Sequence, residues 1–161
     1  MLHVKHITEE GVELDIIRQL FRDYEKELDE NLCFQSFEAE LKEPLKKYGP
    51  PSGDLLLAYW ENEPRNFQVA GCIALTKMNE EGACEMKRLY VKPGFRKNKI
   101  GKILVDELLH SAKEKGYATM RLDTLTKLQP AISLYENYGF RNISAYYHNP
   151  LPGVVYMEKE L

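Results

Sequence analysis

The stretch from Ala83 to Gly116 constrains the fold more than any other part of the sequence. Ala83–Val91 reads as a strand, one of three β-rich runs set off by short polar links. Lys92-Pro93-Gly94-Phe95 then breaks the ladder, and Lys99–Lys115 places Ile100, Ile103, Leu104, Leu108 and Ala112 on one helical face. Lysines occupy the last turn of that helix and Gly116 stops it. The N–H groups that open a helix have no intrahelical partner and carry the positive end of its dipole. With Arg96, Lys97, Lys99 and Lys102 beside them, the turn reads as an anion cradle. A solvated basic surface is the competing reading. Two nucleotide-binding motifs are excluded by spacing. No GxGxxG occurs, and too many residues separate Gly94 from Gly101-Lys102 for a P-loop, with no Ser or Thr following.

The remaining elements follow from periodicity. Residues 2–7 set Leu2, Val4 and His6 against His3, Lys5 and Ile7 on opposite faces of a first strand. From Val12 to about Glu30, Leu14, Ile17, Phe21, Tyr24 and Leu28 form one stripe of a helix, and a second helix is predicted over Phe37–Lys47. Tyr48-Gly49-Pro50-Pro51-Ser52-Gly53 is a turn. Asp54–Trp60, Gln68–Met78 and Ala83–Val91 predict an antiparallel meander, because short polar links join them. Ala118–Asp123 is a strand, Leu128–Tyr138 a helix closed by Gly139, and Phe140–Ser144 and Val154–Glu158 are two final strands. The order β-α-α-β-β-β-α-β-α-β-β predicts an α/β (α+β) chain, a mixed sheet with helices packed on it.

Composition narrows the function classes. The 161 residues, 43% hydrophobic and 29% charged, match one soluble globular domain spanning 1–161. No apolar run has the length of a membrane span. The first residues lack the basic and apolar stretches of a secretory signal, so the cytoplasm is the expected compartment. A formal net charge of −3 supplies no footprint for nucleic acid. Cys33, Cys72 and Cys84 are odd in number and form no CxxC, which predicts free, mostly buried thiols. His3 and His6 face opposite ways and His110 and His148 are isolated, so no metal site is expected.

Arg96-Lys97-Asn98-Lys99-Ile100-Gly101, following a strand and opening a helix, resembles the Arg-x-x-Gly-x-Gly/Ala turn of the Gcn5-related N-acetyltransferases (GNAT). Ala131-Ile132-Ser133-Leu134-Tyr135-Glu136-Asn137-Tyr138-Gly139-Phe140 is similar to that family's second signature. Arg121-Leu122-Asp123-Thr124-Leu125, with Tyr147-His148-Asn149-Pro150 and Tyr156-Met157-Glu158, resembles bacterial-type members of unassigned substrate. The resemblance implies a mostly antiparallel central sheet of about seven strands flanked by about four helices. It also implies acetyl-CoA as acyl donor, with direct transfer in a ternary complex to a small-molecule or protein amine. Its alternative is a CoA-binding or regulatory module without turnover. Two departures stand out. Lys97 and Lys99 replace the usual glycines, and Leu128 sits where many members have an asparagine against the pantetheine arm.

Amide formation from a thioester needs a deprotonated amine, an oxyanion site and a proton for the leaving thiolate. The resemblance places the base at Glu85, whose competing reading is a strand carboxylate paired with Lys87 on the same face. It places the thiolate-protonating acid at Tyr135, whose competing reading is a core tyrosine. An oxyanion-binding N–H is expected near Leu89, Tyr90 or Val91. The cofactor is expected along Arg96, Lys97, Asn98, Lys99, Ile100, Gly101 and Lys102. Cys84 neighbours Glu85 and so faces away from it. The acidic run Asp23, Glu25, Glu27, Asp29 and Glu30 is either an attractor for a cationic amine or a wet helix face. Tyr146–Asn149 either walls the acceptor pocket or packs under the last hairpin. Members often pair, but no coiled-coil seam here demands a homodimer.

Overall fold

Strict alternation along the central strands buries both faces of one sheet. The computed structural model describes residues 1–161. Its elements are β1 (Leu2–His6), α1 (Val12–Leu28), α2 (Phe37–Lys42), α3 (Pro44–Tyr48), β2 (Asp54–Glu63), β3 (Asn66–Lys77) and β4 (Ala83–Val91). There follow α4 (Ile100–Glu114), β5 (Thr119–Leu125), α5 (Gln129–Asn137), β6 (Arg141–Ile143) and β7 (Val154–Glu160). The seven strands are ordered β1-β2-β3-β4-β5-β7-β6, and every neighbouring pair is antiparallel except β4 with β5. On one face Leu56, Ile73, Leu75 and Met86 pack against Leu104 and Leu108 of α4. On the other, Leu55, Leu57 and Ala74 meet Leu14, Ile17 and Phe21 of α1. A fully buried Leu or Ile contributes about 1.5–3 kcal/mol, so these two clusters hold the helices to the sheet. No helix is long and apolar enough to cross a membrane.

The predicted second helix is in fact two, which makes five α-helices in all. Glu43 leaves the helical region at φ −134°, ψ 71°, and Pro44 starts the next helix. A proline ring clashes with a helical residue before it, so the chain must turn there. On α4, Ile103 is only half-buried, and Val105 and Leu109 fill the core positions instead. Cys72 and Cys84 are buried, but Cys33 is exposed.

Two irregularities shape the middle of the sheet. Cys72 pairs with Tyr90 and Ala74 with Lys87, so Arg88 and Leu89 together oppose Ile73. This β-bulge puts Arg88 at φ 61°, a left-handed conformation unusual for a side-chain-bearing residue. Gly71 is required beside it, because a Cβ there would lie 2.4 Å from the Tyr90 carbonyl oxygen. The parallel ladder between β4 and β5 then comprises just Ala83–Thr119, Cys84–Met120 and Glu85–Arg121. Beyond Glu85 the two strands part.

Candidate active site

The parting of β4 from β5 leaves main-chain groups of β4 facing a gap. Lys92 N–H donates to Ala70 O at 2.8 Å, on the β3 side. Alternation therefore turns the Tyr90 N–H toward β3 and the Leu89 and Val91 N–H groups toward the gap. Of the three expected oxyanion donors, Leu89 and Val91 have the right direction and Tyr90 does not. The Val91 carbonyl is already taken, by Arg96 Nε at 2.8 Å.

A cavity of about 400 Å³ runs from this gap to the start of α4. Lys99, Gly101 and Lys102 form its helical end, and Leu89, Val91 and Ala131 its sheet end. The first hydrogen bond of α4 is from Ile103 N to Lys99 O, 3.2 Å, so the amides of Ile100, Gly101 and Lys102 have no partner in the chain. No side chain caps this helix. A Cβ on Gly101 would lie 3.6 Å from Leu134 Cδ2 and 3.9 Å from Val91 Cγ2, ordinary contact distances. Packing therefore does not demand glycine at 101, and what its absent side chain leaves is open cavity. Unpaired amides, flanking ammonium groups and that open space suit a polyanion such as the diphosphate of CoA.

The other predicted cradle residues divide. The Ile100 side chain is buried in the core and offers only its amide. Lys97 and Asn98 are exposed and do not line the cavity. Arg96 does line it, but its guanidinium is folded back, 2.6 Å from Glu27 of α1 and over the Tyr90 ring at 5.7 Å. Lys99, where the family usually has glycine, adopts φ 57°, ψ 26°. Leu128, in the asparagine's place, supplies apolar wall.

A second cavity, of about 60 Å³, lies deeper in the split. Tyr24, Leu28, Leu89, Leu128 and Ala131 line both, so the two spaces share a wall. Tyr135 faces the inner one, 6% exposed, with its ring edge-on to Phe140 and its hydroxyl unbonded within the chain. Burial, with lesser contributions from Tyr24 and Asp123, pushes this phenol above the ordinary tyrosine value. It thus stays protonated near neutral pH. Glu85 lies at the last position of β4 paired with β5, outside both cavities. Its carboxylate accepts from Tyr146 OH at 2.7 Å and lies 3.9 Å from Lys87 Nζ, the same-face pairing anticipated as the competing reading. Cys84 points away, hydrogen-bonding Thr119 O, and burial pushes its thiol up to about 12.

Several residues at this site escaped sequence reasoning. Asp123 lines the inner cavity and accepts hydrogen bonds from Tyr147 OH and from Asn149 Nδ2, the latter at 2.8 Å. Gln35 donates to Tyr147 OH at 2.8 Å, yet its Oε1 is buried without a partner. Arg88 lies in a bidentate pair with Glu40 of α2, at 2.7 and 3.0 Å, and stacks over Phe37 at 5.2 Å. The signal for Asp123 was present, in a segment resembling a family subgroup, and Asn149 had been named as part of the Tyr146–Asn149 loop. For Gln35 and Arg88 there was none. In the Tyr146–Asn149 loop, Tyr146 and Tyr147 pack ring to ring with Tyr156 at 5.3–6.0 Å, the packing reading, while Asn149 lines the inner cavity. The acidic run of α1 is largely engaged within the chain: Glu27 by Arg96, Glu30 by Lys127, Glu25 by the Leu32 amide and Asp23 by Gln19.

The acetyltransferase (GNAT) family profile matches residues 14–140. An uncharacterized N-acetyltransferase of Schizosaccharomyces pombe is 43% identical over 149 residues, 92% of this chain and 89% of that protein. A GNAT-family acetyltransferase of Staphylococcus aureus Mu50 superposes with a TM-score of 0.77 at 21% identity, over 98% of this chain and 99% of that one. A Bacillus subtilis acetyltransferase solved in complex with CoA superposes with a TM-score of 0.66 at 22% identity, over 100% and 99% of the two chains. The chain belongs to the GNAT acetyltransferase family and is an acetyl-CoA-dependent acyltransferase.

Proposed function

We propose that this protein transfers the acetyl group of acetyl-CoA to a primary amine by direct attack within a ternary complex. The observation that carries this reading is the pair of contiguous cavities, leading from the unpaired amides of α4 to the Tyr135 hydroxyl. Gly101 and Lys102, with Lys99 beside them, hold the diphosphate. Leu89 and Val91 present N–H groups to the pantetheine arm and to the oxyanion that develops on the thioester carbonyl. The amine nitrogen forms its bond to the acetyl carbon, the carbon–sulfur bond breaks, and Tyr135 supplies the proton to the departing thiolate. Glu85, set back from the cavity behind Tyr146 and Lys87, takes the amine's proton through water. Asp123, on the cavity wall, is the second candidate for that role. Glu85→Gln and Asp123→Asn separate them by which one abolishes the rise of kcat/KM with pH.

The reading is tested by ligand uptake and turnover. Acetyl-CoA at about a hundred times its Kd is expected to stabilise the fold by about 2.7 kcal/mol. Release of free thiol over a panel of amines then distinguishes an enzyme from a CoA-binding module. Absence of a thermal shift at millimolar acetyl-CoA would overturn the reading.

A further inference from the structure

Lys87 is 7% exposed, yet its ammonium has no hydrogen bond within the chain and lines the inner cavity. Its one ionic partner within 4 Å is Glu85, at 3.9 Å, too far for a hydrogen bond. Three N–H donors on a buried cation are costly to leave unmet, so a residue kept in this state faces either water or a ligand. Arg88 is next to it on the cavity wall and commits Nε and Nη2 to Glu40, leaving Nη1 uncommitted. Two positive donors thus stand on the β4 side of the split. Across it, from β5, comes the Asp123 carboxylate, an acceptor, with Gln35 of the turn before α2 on the same side. The cavity is therefore dipolar, with cationic donors on one wall and a carboxylate on the other.

We infer that the acceptor is a small amino acid, its carboxylate held by Lys87 and Arg88 and its amino group directed by Asp123 toward the Tyr135 side of the same cavity. The inference rests on the acetyl-transfer reading and names its substrate class. Size agrees. One water needs about 10–15 Å³ of such space, so about 60 Å³ takes roughly four to six small groups, the heavy-atom count of glycine or alanine. An alkylamine meets the acceptor wall equally well but leaves the Lys87 ammonium and Arg88 Nη1 without an acceptor. Burial draws the Lys87 ammonium below its ordinary lysine value, with Glu85 and Asp123 opposing that shift, and a bound carboxylate would favour the charged form further.

The experiment pairs each amino acid with the amine lacking its carboxylate, glycine with methylamine and alanine with ethylamine. Acetyl-CoA is saturating and free thiol is the readout. The expected result is a kcat/KM at least tenfold higher for the amino acid, expressed mainly in KM. In Lys87→Met that ratio is expected to fall at least tenfold, while the melting temperature holds or rises because a buried cation has been replaced by an apolar side chain of similar length. Equal kcat/KM for the paired acceptors, or a ratio unmoved in Lys87→Met, overturns the inference. If none of the four is acetylated, calorimetric titration of alanine into the CoA-loaded protein decides, and no binding overturns it. A normal acetyl-CoA thermal shift in that case leaves the acetyl-transfer reading intact, whereas loss of the shift refutes both.

Discussion

Replacing Glu40 by glutamine removes one charge of the ion pair that pins the β4 bulge to α2. Glu40 and Arg88 are each 4% exposed, joined by two hydrogen bonds of 2.7 and 3.0 Å, with Lys47 3.6 Å away as a weaker third member. The mutation leaves Arg88 buried among Tyr24 and Phe37 without a full counter-charge. Breaking a buried pair from one side costs about 3–5 kcal/mol, against about 0–1 kcal/mol for an exposed pair. A domain stable by about 5–15 kcal/mol would lose a large share of that margin. With a urea slope of about 1–3 kcal/mol/M, the unfolding midpoint is expected to fall by about 1 M or more. Glu114→Gln, which breaks the exposed His110–Glu114 contact at 2.9 Å, serves as the control and should shift it several-fold less. The pH dependence has a definite sign. Burial raises the Glu40 carboxyl, and Arg88 with Lys47 more than reverses this, leaving it below the ordinary 4.5. The pair therefore stabilises the fold above about pH 4.5 and loses that contribution as pH falls through the lower folded value. Wild type and Glu40→Gln should converge in stability on acidification. A loss below about 1 kcal/mol at neutral pH, or a gap constant down to pH 3, would refute the claim that this charge pair holds the bulge.

Three further outcomes are expected. Tyr135→Phe should lower kcat by about 10²–10⁴-fold while the acetyl-CoA thermal shift persists, and a wild-type rate at every pH would remove Tyr135 from the acid role. Gly101→Ala should leave stability equal or up to about 1 kcal/mol higher, since the added methyl meets only ordinary contacts, yet weaken acetyl-CoA about tenfold in calorimetry. Unchanged affinity would show that the open space at 101 is not where the cofactor lies. Lys99→Gly relieves a left-handed backbone at φ 57° and should raise the urea midpoint by an amount equivalent to at most about 1 kcal/mol, the strain relief less glycine's extra chain entropy. A lowered midpoint would contradict the strain argument.

Much of this protein was decided locally and could be read from the chain. Helix α4 follows from its own apolar spacing and Gly116, so the unpaired amides at its start were legible before any contact was known. The break between α2 and α3 was also written there, in Pro44, and reading Phe37–Lys47 as one helix gave periodicity more weight than the proline warranted. Tyr135 was identifiable because its neighbours Leu134, Gly139 and Phe140 carry a family pattern. What the tertiary structure alone decided is the opening between β4 and β5. Lys87-Arg88-Leu89 contains no glycine or proline to announce a bulge, and its left-handed arginine is held by Glu40, 48 positions away in sequence. The inner cavity likewise draws Gln35, Lys87, Asp123 and Asn149 from four separate segments. Periodicity reports which face of its own element a residue takes, whereas a site assembled across elements depends on strand register and on contacts between distant residues, and these exist only once the chain has folded.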